Sequence, residues 1–97
     1  MNRVEKQFED KAIIRGGLML FSKENALLFI NACENNDIQV FGIDAFYLSE
    51  NIIQPSLENS IDFSSSGYVQ KENTYSESIN FLKEKNEKLF FEIICMD

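Results

Sequence analysis

The chain has 97 residues, 16 acidic and 9 basic side chains, a net charge of -7, and no histidine. That length suits one domain able to bury roughly 60–70% of its unfolded surface, and the 44% apolar content, with 9 Phe, supplies a core without disulfide or metal. The charge repels nucleic-acid phosphates and anionic membrane and favours a cationic partner, while the missing histidine removes the commonest general base, the usual triads and most zinc sites.

The first element expected is a helix over residues 3–15, with Val4, Phe8 and Ala12 or Ile13 on one face and Gly16 as its stop. Leu18–Phe21 reads as a short buried strand. Ser22 is a good N-cap for a helix over 23–35, whose apolar face is Ala26, Leu27, Ile30 and Cys33, with Phe29 at the margin. The strand over 38–48 follows, nearly all apolar but for Asp44. Strand, helix and strand with short joins suit a parallel crossover. Within the second strand, Gly42 is the place for a helix to pack closely.

Residues 49–73 contain the only proline, Pro55, a serine run and scattered acids, and read as a long acidic loop. Short edge strands are expected around Ile52–Gln54 and Ile61–Phe63. Thr74 and Glu77 have capping-box spacing before a helix over 75–87, with Ile79, Leu82 and Tyr75 on its buried side. A last strand covers Leu89–Met96. The fold class is α/β or α+β, a single mixed sheet of four or five strands packed with two or three helices. The continuous apolar strands predict helices on both sheet faces.

No stretch is long enough for a signal h-region or a membrane span. Cys33 and Cys95 fall among apolar neighbours and are expected as reduced core thiols, which favours a cytoplasmic protein. No spacing resembles a phosphate loop, a dinucleotide turn or an EF-hand, so no cofactor is expected. Carboxylates are the one set able to carry chemistry. Asp44, Asp62 and Glu92 form a magnesium site or an acid–base pair if their strands lie side by side; otherwise Asp44 caps a turn or pairs with Arg15. Tyr47, Tyr68 and Tyr75 lie near element ends facing the acidic loop, where tyrosines beside acids suit recognition of a basic protein. The surface expected to bind a partner is Asp44, Tyr47, Glu50, Glu58, Asp62, Tyr68 and Tyr75.

The helix Ser22–Glu34, the segment Phe41-Gly42-Ile43-Asp44-Ala45-Phe46-Tyr47 and the final Leu89-Phe90-Phe91-Glu92-Ile93 resemble small immunity proteins of bacterial polymorphic toxin systems. The likeness is one of hydrophobic order over most of residues 16–96. The chain has Gly42-Ile43-Asp44 where several such families have Gly-Gly-Asp. The resemblance implies a cytoplasmic, non-enzymatic inhibitor that binds a cognate toxin domain and blocks its active site. The residues by themselves leave two other classes open: a carboxylate-dependent metal enzyme, and a structural subunit of a bacterial assembly.

Overall fold

A computed structural model describes residues 1–64 and 71–96. The fold is α+β: among the described residues, five strands in two antiparallel sheets and three helices. The first helix, α1 (Arg3–Gln7), is much shorter than the 3–15 expected. Asn2 caps it with a full capping box, its side chain accepting from the Glu5 N–H while Glu5 accepts from the Asn2 N–H. After one 3-10 turn at Glu9–Lys11 the chain becomes extended as β1 (Ile13–Arg15) and pairs antiparallel with β2 (Leu18–Leu20). The cause lies in Gly16 and Gly17, both at positive φ (57° and 78°), which close a two-residue hairpin between Arg15 and Leu18. The β-branched pair Ile13-Ile14 favours that extended state over helix.

Helix α2 (Lys23–Asn35) forms where expected, with the Ser22 hydroxyl accepting from the Asn25 N–H. Phe29, expected at its margin, is instead fully buried beside Ala26, Ile30 and Cys33. The strands β3 (Gln39–Leu48), β4 (Ile53–Asp62) and β5 (Phe90–Met96) make a sheet in the order β4-β3-β5 with every pairing antiparallel. The expected parallel crossover is therefore split. Phe21, just after β2, exchanges two backbone hydrogen bonds of 2.8 Å with Phe91, in an isolated antiparallel bridge. Both β2 and β3 run against β5, which lies between them.

Within the stretch expected as a loop, residues 53–62 form one edge strand, β4, which joins the two short edge strands expected there. Its pairing with β3 jumps from Ser56 opposite Ala45 to Ile61 opposite Ile43, so residues 57–60 swing out of the ladder. Ser60 bridges the gap: its hydroxyl accepts from the Ala45 N–H at 2.9 Å and donates to the Ser56 carbonyl at 2.8 Å. Proline and polar residues survive here because an outer strand has one unpaired edge. Gly42 meets a strand, not a helix: a Cβ there would lie 2.8 Å from the Ile61 carbonyl oxygen. Helix α3 (Lys71–Lys83) begins before Thr74 and ends sooner than residue 87. Thr74 is accordingly a buried helix residue and not a cap. At the C-terminal end of α3, the Lys23 ammonium donates to the carbonyls of Lys83 and Lys85 at 2.8 and 2.9 Å.

All three helices feed one core. Val4, Phe29, Ile30, Cys33, Tyr75 and Leu82 pack with Val40, Ile43, Ala45, Phe91 and Ile93 of the sheet. Helices on both faces, as the strands' hydropathy predicts, are not what covers this sheet. Leu20 and Phe46 are buried yet stand outside that core. Phe46 alternates with Ala45 and so projects to the opposite face. There the tip of the β1–β2 hairpin reaches the β3–β4 turn: Gly16 lies against Ile53, and the Arg15 guanidinium donates to the Glu50 carbonyl at 3.2 Å. The hairpin thus covers one end of the helix-free face. Among the described residues, nothing covers the other end.

Candidate functional site: an acidic groove on the open sheet face

Register decides what this open end displays. Asp44 stands directly opposite Glu92, Gly42 opposite both Ile94 and Asp62, and Gln39 opposite Met96. Since strand neighbours alternate, Ile93 and Cys95 turn towards the helices while Glu92, Ile94 and Met96 turn away from them. Phe41 joins the open side because β3 bulges between Val40 and Gly42. The result is a shallow groove lined by Phe41, Gly42, Asp44, Ile61, Asp62, Ser64, Ile94 and Met96. Its apolar part is accessible, Met96 being 64% exposed.

The electrostatics are one-sided. Burial, then the neighbouring Asp44, then Glu5 push the Glu92 carboxyl above its ordinary pKa. Asp62 is shifted the other way: the Ser64 hydroxyl and backbone N–H donate to it at 2.6 and 2.8 Å and hold it below the usual carboxylate range. Among the described side chains, no cation pairs with these groups. Arg15, the expected partner of Asp44, goes to Glu50, while Arg3 donates to the Asn36 carbonyl. Like charges directly opposed across two strands are unfavourable, so a cation from outside would be held where the fold leaves repulsion.

The residues expected to form one surface divide. Asp44 and Asp62 share the groove. Tyr47, 43% exposed, points to the opposite side of β3 and lines a separate depression with Gln54, Pro55, Leu57 and Glu58. Glu50 sits in the β3–β4 turn. Tyr75 is a correction: it is 4% exposed, and its hydroxyl donates to the Ile38 carbonyl at 2.7 Å, so it belongs to the core. Tyr68 lies outside the described residues. Sequence reasoning passed over Ile94 and Met96, whose signal was the two-residue spacing from Glu92.

Asp44, Asp62 and Glu92 do come to one face, as an acid–base or metal site requires. Among the described residues, however, no group of three or more His, Cys, Asp or Glu side chains is placed to hold a metal. The Cys33 and Cys95 side chains lie beside each other, and the hydrogen bond with Cys95, together with burial, pushes the Cys33 thiol far above its ordinary pKa. No helix among the described residues is long and apolar enough to cross a membrane. Compared with protein-family models, curated proteins and solved structures, the chain matches none.

Proposed function

We propose that this protein is an immunity protein: it binds a cognate bacterial toxin domain and neutralises it by covering a basic active-site surface. The observation that carries the reading is the helix-free face, where Asp44 and Glu92 face one another beside exposed Ile94 and Met96. A surface of this kind suits a protein partner, because apolar contact supplies burial while unneutralised acids select a cation. The excess of acidic residues over the whole chain adds a long-range field that speeds capture of a basic partner. The protein acts in the cytoplasm without cofactor or catalysis of its own, by occlusion.

The test is genetic and biochemical together. A toxin domain encoded beside this chain is expressed with and without it, and complex formation is measured on the purified pair. The expected result is rescue of growth and a stable complex whose association slows as salt rises, because exposed charges are screened beyond about 10 Å at 0.1 M ionic strength. Growth arrest despite full expression of the protein, with no complex, would refute the proposal.

A further inference from the structure

Resting on that reading, we infer that the partner enters the groove with an extended segment whose arginine side chain lies across Asp44 and Glu92, its aliphatic stem against Ile94 and Met96. The register places the two acids opposite one another, and opposed residues of an antiparallel pair have Cα atoms roughly 4.5–5.5 Å apart. Two carboxylates at that spacing fall within reach of one planar guanidinium, whose five N–H donors can serve both. A lysine ammonium is a more strongly hydrated point charge and fits a half-buried pair less well.

The floor of the groove supports the same choice. Ile94 and Met96 follow Glu92 at alternate positions, so the apolar strip begins where the acidic pair ends. An arginine buries its methylene stem along such a strip while its head reaches the acids. From Glu92 to Met96 the strip runs about 13 Å, enough for roughly four extended residues. Beyond Asp44, the hairpin and buried Phe46 close the opposite end. Two of the chain's own cations are engaged elsewhere: Arg15 and Lys23 donate to backbone carbonyls of Glu50, Lys83 and Lys85. Another exposed apolar feature, Leu57 beside Tyr47, has Glu58 but no opposed acid pair to select a guanidinium.

The probe is a short acetylated and amidated peptide of alternating valine and arginine, titrated into the isotope-labelled full chain and followed by amide chemical shifts. Versions with citrulline or lysine in place of arginine separate charge from shape. Shifts are expected at residues 41–44 and 92–96. Binding should weaken about tenfold with citrulline and less with lysine, and several-fold in Asp44→Asn and Glu92→Gln, as loss of a charge-assisted hydrogen bond implies. Glu92→Gln removes a repulsion and is expected to fold, so it reports on binding. Equal binding of the citrulline peptide, shifts confined to α3 or to Tyr47–Glu58, or no shifts at millimolar peptide would each overturn the inference. Full toxin neutralisation by the Asp44→Asn, Glu92→Gln double variant would also overturn it while leaving the immunity reading intact. Peptide binding as expected without neutralisation of the toxin would uphold the groove's preference and discard the immunity reading.

Discussion

Replacing Glu92 with glutamine should make the protein more stable. Glu92 is half-buried and directly opposes Asp44 on the neighbouring strand, and among the described residues no cation offsets the two acids that act on it. Like charges in that position cost roughly 0.2–1 kcal/mol, and glutamine keeps the shape while removing one of them. For a domain of this size, a gain of that order raises the melting temperature by roughly 1–6 °C. The pH dependence fixes the cause. Because the folded protein holds the Glu92 proton more tightly than the unfolded chain does, wild-type stability contributed by this group falls as pH rises from its ordinary value of 4.5 through the raised one. Below pH 4.5 both states are protonated and the variant should lose its advantage; at neutral pH the advantage should be complete. Asp44 and Glu5 are the charged groups that drive the shift alongside burial, so Asp44→Asn should reduce it. Urea unfolding of wild type and variant at pH 4 and pH 7 reads this out. A variant less stable than wild type at pH 7 would refute the reasoning, since it would mean that Glu92 has a favourable partner in the fold. Stability sacrificed on one patch is what a binding surface leaves behind.

Two further substitutions test the architecture around the site. Ser60→Ala should cost roughly 1–3 kcal/mol by urea unfolding, because it strips the Ala45 N–H of its acceptor inside the β3–β4 pairing; an effect near zero would show that the excursion at 57–60 re-pairs without it. Tyr75→Phe should cost a similar roughly 1–3 kcal/mol through loss of the hydrogen bond to the Ile38 carbonyl while leaving partner binding unchanged. Weakened binding by a fully folded Tyr75→Phe protein would return that residue to the interface.

Parts of this fold are written locally and parts are not. Helix α2 could be read because Ser22 caps it and Ala26, Ile30 and Cys33 repeat at helical spacing. The β1–β2 hairpin was equally local, yet Gly16 looked like a helix stop. The decisive sign was Gly17 beside it, since two glycines at positive φ between Ile13-Ile14 and Leu18–Leu20 favour a hairpin. Strand β4 was legible only at its two ends, as short edge strands around Ile52–Gln54 and Ile61–Phe63; its middle escaped because an edge strand with one solvated face needs no apolar run. Asp44 stood out in its apolar segment, but Glu92 became its partner only through a strand register that pairs residues far apart in the chain. Tyr75 misled for the same reason: the acceptor of its hydroxyl lies 37 residues away. Local pattern gives an element's existence, whereas the sheet order that makes a surface is a long-range property.

The central claim is that the open sheet face holds the toxin. Hydrogen exchange of the protein, free and saturated with the toxin domain encoded beside it, tests this most directly, because it reports each segment's protection without altering any residue. The account predicts added protection at residues 41–44 and 92–96, with the amides of α2 and α3 unchanged. Protection gained on α3 or along 54–58, with the groove as exposed as in the free protein, would contradict it.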